Sequence, residues 1–490
     1  MMNRRNFLRQ GLVSTVALTI VPNYVISGLG HKVPSDKLNI AGIGIGGRGK
    51  KVLNFMKDEQ IVALCDVDWK YAKQTFLEYP RAKQYIDYKR LFDEMAKDID
   101  AVVVATPDHT HAVIASSAMA LGKHVYCEKP LTHSVYESRY LTKMAEETKV
   151  ATQMGNQGSS GEGIRQICEW IWNGEIGEVK EVHAWTNRPI WPQGLQRPTL
   201  EMSVPETLSW DLFIGPAKYR PYNEVYTPWN WRGWWDFGTG ALGDMACHIL
   251  DPVFKSLKLK YPTKVIGSST QVNTECAPYS ERIRFTFPAR ERMMHVNMPE
   301  VTVHWYDGGF VPNELYELSE EVMAGKEWEN GVIFKGTKDM LICGCYSANP
   351  FLASGRIPVC ENLIPRVETQ VKGWNKGDHQ KDWIRACKED VESRIEACSN
   401  FAYAGPFNEM VAMGVLAVRL QSLHKELLWD GEAMRFSNIH NTEKLKIVKS
   451  DAFSVNDGHP TFKTDYATFD AQEMAEEMIK HTYREGWSLS

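Results

Sequence analysis

Residues 38–66 constrain this chain more than any other stretch. Leu38-Asn39-Ile40-Ala41-Gly42-Ile43 is a short apolar run that reads as a buried strand, and it overlaps Gly42-Ile43-Gly44-Ile45-Gly46-Gly47. A helical pattern of Lys50, Val52, Leu53 and Met56 follows, then a second apolar run, Ile61 to Cys65, closed by Asp66. Glycines 42, 44 and 47 fit G-x-G-x-x-G, and the acid comes 19 residues after Gly47. Such glycines alone are a weak signal. Strand, glycine turn, helix, strand and terminal acid in this order point to a dinucleotide-binding βαβ unit. The first glycine permits the tight turn, the second lets backbone approach a pyrophosphate, and the third lets helix and strand pack closely. Amides at the helix start, with Gly46 and Arg48 in the same loop, would hold the phosphates. Asp66 would accept hydrogen bonds from the adenosine ribose and repel a 2′-phosphate. That favours NAD, while Arg48 leaves NADP open.

The alternation continues. Residues 99–105 (IDAVVVA) read as a buried strand, 106–111 (TPDHTH) as its C-terminal loop, and 112–121 as a helix stopped by Gly122. A strand at His124–Cys127 ends in Glu128-Lys129-Pro130; a helix over 135–148 and a strand over 150–154 complete the set. A doubly wound parallel sheet binds ligands at the carboxyl ends of its strands. That edge gathers the loops at 42–48, 66–68, 106–111, 128–130 and 155–158. Cofactor contacts are therefore expected from Thr106, Pro107, His109, His111, Glu128, Lys129 and Asn156 as well as from the glycine loop.

Residues 1–34 read as an address rather than as structure. Arg4, Arg5 and Arg9 precede an apolar run from Gly11 to about Val21, shorter than the roughly 20 residues a spanning helix needs. Asn3-Arg4-Arg5-Asn6-Phe7-Leu8 resembles a twin-arginine export signal. A periplasmic location follows, with an uncleaved N-terminal anchor as the alternative and no integral membrane domain beyond it. The ten cysteines are scattered with no C-x-x-C. They read as buried thiols, with metal and disulfide roles left open. Cys343 and Cys345 would share one face of a strand.

The remaining length divides into residues 35–157, the nucleotide domain, and 158–490, a second domain. A net charge of −5 demotes nucleic acid as a partner. The 43% hydrophobic and 24% charged fractions argue against disordered and multi-span membrane classes.

The stretches quoted, together with GNQG at 155–158, WDLFIGPA at 210–217, WNWRGWWDFGTGALGDMACHILD at 229–251 and YREGWSL at 483–489, resemble the Gfo/Idh/MocA oxidoreductases over nearly the whole chain after the signal. The resemblance implies a Rossmann domain followed by an α+β domain with an open, mainly antiparallel sheet. It also implies pairing into a homodimer or homotetramer, and a sugar, glycoside or cyclitol as substrate.

Oxidising a secondary alcohol requires a hydride acceptor and a proton acceptor whose pKa suits the working pH. Lys129, just past a strand end, could hold the substrate oxygen and stabilise a developing alkoxide. Asp244 and His248, four apart, share a helix face. The resemblance makes His248 the general base, with Asp244 binding substrate or orienting the site. Trp229, Trp231, Trp234 and Trp235 crowd around Arg232. One or two of these indoles are expected against a sugar ring and the rest in the core; Arg232, Trp234 and Trp235 are assigned to substrate with Asp244 and His248. No metal is expected, because hydride transfer needs none and no H-E-x-x-H pattern occurs.

Strands are expected over 178–186, 281–287 and 331–335. Helices are expected over 159–174 and 407–427, the latter packing near the nucleotide domain, and another opens at His379, which could approach the pocket. The alternative activity is an NAD-dependent glycoside hydrolase that recycles its cofactor through a transient keto-sugar.

Overall fold

The computed structural model describes residues 36–318, 329–360, 362–364 and 377–490. The expected export signal lies outside the described residues.

Six strands form a parallel sheet: β1 (Asn39–Ile43), β2 (Gln60–Cys65), β3 (Lys83–Tyr85), β4 (Ala101–Val104), β5 (His124–Cys127) and β6 (Thr152–Met154). Their order is β3-β2-β1-β4-β5-β6, the doubly wound arrangement in which the chain reverses direction beside β1. Every residue of β4 is buried, as an unbroken apolar run in a sheet covered on both faces requires. The connections are α1 (Arg48–Asn54), α2 (Trp69–Glu78), α3 (Tyr88–Met95), α4 (Asp108–Ala120) and α5 (Val135–Thr148). Ser134 and Glu137 close a capping box at the start of α5, satisfying amides the first turn leaves unpaired.

Helix α4 departs from expectation. It begins at Asp108 rather than Ala112, so Asp108, His109, Thr110 and His111 form its first turn and are buried. Their polarity reads locally as loop. In the fold, backbone carbonyls and Thr239 take up their polar atoms, so the polar stretch can be buried as helix.

The second domain is built on a nine-stranded mixed sheet, in which only β12 and β7 pair in parallel. Its strands are β7 (Val179–Thr186), β8 (Lys264–Ser269), β9 (Glu281–Phe287), β12 (Val301–Tyr306), β13 (Asn330–Gly336), β14 (Met340–Gly344), β15 (Phe351–Leu352), β16 (Leu427–Asp430) and β17 (Arg435–Phe436). Two separate hairpins are β10 (Arg290–Met293) with β11 (Val296–Met298), and β18 (Lys444–Asn456) with β19 (His459–Asp470). The helices are α6 (Glu162–Trp172), α7 (Trp210–Ile214), α8 (Gly240–Ile249), α9 (Asp251–Ser256), α10 (Asp378–Lys388), α11 (Phe401–Arg419) and α12 (Ala471–Ile479). Cys343 lies in β14, but Cys345 has left it for a turn, so the two do not share a strand face.

Two late segments return to the nucleotide domain. Trp383, Ile384 and Ala386 of α10 join Leu38, Leu53 and Val103 in one apolar cluster, so a helix from the far end of the chain covers one face of the parallel sheet. Helix α11 spans 401–419 rather than 407–427. It locks onto α5 through Arg139, whose Nε and Nη2 reach Glu409 at 2.8 and 2.7 Å. Asn408 Oδ1 accepts from the Leu131 N–H at 2.9 Å. Helix α11 is long and apolar enough to cross a bilayer, yet it is largely buried inside the protein and acts as the shared core of both domains.

Candidate active site

The glycine loop is shaped by what a side chain would strike. Gly44 has φ +78°, and a Cβ there would stand 2.6 Å from the Ala105 carbonyl carbon and the Thr106 nitrogen. The close approach of helix to strand is made by Gly49, not by Gly47 as the spacing assigns. A Cβ on Gly49 would lie 2.2 Å from the Gly44 oxygen, whereas one on Gly47 would meet only the Tyr71 hydroxyl, at 2.6 Å. Tyr71 covers the loop, since a Cβ on Gly46 would fall 2.3 Å from its ring.

Asp66 stands beside this loop at the end of β2. Its carboxylate accepts the Gly46 N–H at 2.8 Å and the Asp68 N–H at 2.9 Å. Burial pushes the group up to about 6, against the pull of those amides.

A cavity of about 520 Å³ runs along the carboxyl ends of the strands. Asp66, Ile86, Tyr88, Ile114 and Trp487 line it on the β2–β3 side, and Gly44, Gly46, Gly47, Arg48, Thr106 and Pro107 line its floor. Beyond β5 its walls are Lys129, Gln157, Arg188, Trp191, Trp229, Trp231, Arg232, Asp244, His248 and Tyr346. The donors and acceptors suit a dinucleotide: an acid where the ribose hydroxyls would lie, a side-chain-free loop at a helix start, and room beside both. Arg48 does not point to a 2′-phosphate subsite. Its Nε donates to Glu128 Oε1 at 3.0 Å, and Glu128 follows β5, on the far side of β1 from Asp66.

At the β5 end two elements meet. Lys129 Nζ donates to the Asp244 carboxylate and to the Asp244 backbone oxygen, each at 2.7 Å. Arg232 Nε reaches the same carboxylate oxygen at 3.2 Å, and its guanidinium lies 3.7 Å from the Trp229 ring and 4.3 Å from that of Trp231. Burial opposes the charge on Asp244, but Lys129 and Arg232 outweigh it and hold the carboxyl well below the usual range. His248, one turn along α8, is buried. Burial, reinforced by Lys129, holds its imidazole well below the ordinary value, so it is neutral at pH 7. Its ring centre is 4.5 Å from that of Tyr346, and its Nδ1 has no hydrogen-bond partner among the described residues.

Lys129, Asp244, His248, Asp66, Gly44, Gly46, Gly47, Arg48, Thr106, Pro107, Glu128 and Arg232 thus share one cavity. Six expected site residues do not line it. His109 packs its ring nitrogens 3.0–3.3 Å from the carbonyls of Phe213, Ile214 and Phe237, and burial pushes it down to about 4. His111 sits between the Pro130 and Thr106 carbonyls at 2.8 and 2.9 Å. Both histidines hold the wall from behind. Asn156 is fully buried; its neighbour Gln157 faces the cavity instead. Trp234 donates to the Val225 carbonyl at 3.0 Å and Trp235 to that of Asn273 at 3.1 Å, and both are core. Gly42 packs against Ile45 and Leu53 beneath the loop. His379, outside the cavity, bonds Ser160 Oγ at 2.7 Å and the Met154 carbonyl at 2.8 Å.

Trp229 and Trp231 are the two indoles of the run that face the cavity, and Gln157, Arg188, Trp191, Tyr346, Tyr71 and Trp487 line it without a role assigned by the sequence. Gln157 and Trp487 lie inside the quoted GNQG and YREGWSL stretches, which carried that signal. A group of metal-ligand type, Glu181, His183 and Glu314, lies outside the cavity. There Lys335 Nζ stands 2.9 and 3.0 Å from the two carboxylates, where a cation's charge is already supplied.

This geometry offers a dinucleotide-shaped cavity between a Rossmann domain and an open sheet. Residues 38–156 match the sequence profile of GFO_IDH_MocA, the oxidoreductase family's NAD-binding Rossmann fold, and residues 178–294 that of its C-terminal alpha/beta domain. Both matches are to the domains of the Gfo/Idh/MocA oxidoreductases, which this chain resembles in sequence. The chain is 30% identical over 151 residues to inositol 2-dehydrogenase of Salmonella paratyphi B, covering 30% of this chain and 44% of that protein. It is 28% identical over 202 residues to a glycosyl hydrolase family 109 protein of Shewanella pealeana, covering 36% and 44%. The match thus spans less than half the length of these relatives. A solved inositol dehydrogenase homologue of Azotobacter vinelandii, complexed with NADH and myo-inositol, shares the fold, with TM-score 0.51 and 16% identity over 80% of this chain and 98% of that one.

Proposed function

We propose that the protein oxidises a secondary hydroxyl of a sugar, glycoside or cyclitol with NAD as hydride acceptor. The observation that carries this reading is the meeting of Lys129 with Asp244 and His248 in the cavity that also holds the glycine loop and Asp66. NAD, when bound, supplies the hydride-accepting nicotinamide. Asp66, the loop amides, Thr106 and Pro107 would hold it, with Arg48 and Glu128 braced against each other beside it.

Lys129 has three N–H donors, and Asp244 takes up two of them. The third is available to a substrate oxygen, whose developing negative charge the ammonium stabilises. Asp244 stays ionised and fixes that ammonium. His248, neutral at pH 7, accepts the hydroxyl proton at an imidazole nitrogen. Burial of the pair strengthens each of these interactions relative to water.

Purified protein incubated with NAD and a panel of cyclitols and sugars tests the reading through NADH formation. A second reading, glycoside hydrolysis without net NADH, is favoured by the similarity to the family 109 protein. Free sugar released from a glycoside with no NADH accumulating would support it. The twin-arginine segment supports export to the periplasm, and the family resemblance supports a homodimer or homotetramer. Cell fractionation and sedimentation test these two points.

A further inference from the structure

The cavity is unevenly charged. On the β2–β3 side its charged residues are mainly acids: Asp66, Asp68 and Asp87. Beyond β5 the cavity holds two carboxylates, Glu128 and Asp244; Arg48 engages Glu128, and Lys129 and Arg232 share Asp244, which leaves Lys129, Arg188 and Arg232 against Asp244 alone. Arg188 has no carboxylate partner among the described residues. Its Nη1 donates only to the side chain of its neighbour Asn187, at 2.6 Å. Its backbone is pinned, with its carbonyl accepting the Gly308 N–H at 2.6 Å and its own N–H reaching Thr186 Oγ1 at 3.3 Å.

A cavity built for a neutral polyol needs matched hydrogen bonds, not surplus charge. With Arg48 and Glu128 offsetting each other, a surplus of two cations in a partly enclosed site costs free energy unless a bound group supplies the balance. Arginine presents a planar fork that fits a carboxylate through two parallel hydrogen bonds. Trp191 and Trp229 stand on the same walls and offer flat apolar faces to a ring.

We infer that the substrate carries a carboxylate, as a uronic acid or a similarly acidic ring polyol does, and that Arg188 recognises it. This rests on the oxidoreductase reading and deepens it. Arg188 is a specificity residue: it binds the carboxylate and takes no part in proton or hydride transfer.

The test uses the full-length, NAD-loaded protein, with D-glucuronate and D-galacturonate set against D-glucose and D-galactose. Binding is followed by the tryptophan fluorescence that Trp191 and Trp229 report. The uronates should bind about tenfold or more tightly than the matching aldoses, as a charge-assisted bidentate pair provides. The preference should weaken with added salt. In Arg188→Gln it should collapse while NAD affinity and melting temperature stay as in the native protein. Equal binding of uronate and aldose, no uronate binding, or a preference that survives in Arg188→Gln overturns the inference. So does an equal loss of NAD affinity in that variant, which would assign Arg188 to the cofactor phosphates. NADH formed from uncharged cyclitols alone would remove this inference and leave the oxidoreductase reading standing. A native protein that binds no NAD would remove that reading itself.

Discussion

Lys129 and Asp244 are joined twice, the ammonium donating to both the side-chain and the backbone oxygen of the aspartate at 2.7 Å. One residue follows the fifth strand of the nucleotide domain and the other sits on a helix of the second domain. The contact therefore ties the domains together at the point where chemistry is proposed. Lys129→Met should lower turnover by about 10²–10³-fold, the usual cost of losing one preorganised donor at a developing oxyanion. NAD affinity, measured by titration, should change little, because the glycine loop and Asp66 are untouched.

His248 should set the acidic side of the pH profile. Its neutral form accepts the proton, and burial with Lys129 nearby favours that form. Activity should therefore persist below the ordinary histidine range, and the acid limb of kcat/KM at saturating NAD should lie below pH 6.5. His248→Gln should reduce kcat by about 10²–10⁴-fold and abolish that limb. An acid limb at or above the ordinary histidine value in the native protein would remove His248 from the role of base.

Cofactor affinity should depend on pH through a different group. Burial raises Asp66 to about 6, and only the ionised carboxylate accepts from both ribose hydroxyls. Affinity for NAD should be full above that pH and decline as pH falls through it. Asp66→Asn should flatten the dependence, which titration calorimetry at several pH values would read.

Gly49→Ala sets two effects against each other. Alanine gains about 1 kcal/mol of helix propensity over glycine. Its Cβ, however, would stand 2.2 Å from the Gly44 carbonyl oxygen, and forced overpacking costs about 1–3 kcal/mol. Backbone cannot swing aside as a side chain can, so the second effect should prevail. The expected result is a lower melting temperature and weaker NAD binding. Gly47→Ala, which meets only the Tyr71 hydroxyl, should be milder on both measures.

The tryptophans offer a separate check. Trp234 is fully buried and bonded to the Val225 carbonyl, so Trp234→Ala should cost about 3–5 kcal/mol of stability. Trp229 is 46% exposed beside Arg232. Trp229→Ala should leave the melting temperature nearly unchanged and raise KM. Paired thermal melts and substrate saturation curves distinguish the two.

Much of this was legible in the sequence where function follows local order. The strand, glycine turn, helix and acid at 38–66 placed Asp66 beside the loop, and four-residue spacing put Asp244 and His248 on one face. What escaped depends on distance in space rather than along the chain. His109 and His111 read as ligands because a polar stretch suggests a loop, and nothing local shows the carbonyls that bury them. Adjacent indoles in the Trp229–Trp235 run part ways because a 3₁₀ turn at Asn230–Gly233 sends some to the cavity and others to the core. Arg188 could not be found by pattern at all. It matters because Lys129, Arg232 and Asp244, from three other parts of the chain, line the same cavity.

In the proposed reaction, hydride leaves a ring carbon for NAD beside Lys129. The most direct measurement supplies a polyol deuterated at the reacting carbon and follows the label by mass spectrometry. Deuterium should appear in NADH with the native protein and do so about 10²–10³-fold more slowly with Lys129→Met, although that variant still binds NAD. Substrate conversion by the native protein with no deuterium entering NADH, or label transfer undiminished in Lys129→Met, would contradict the account.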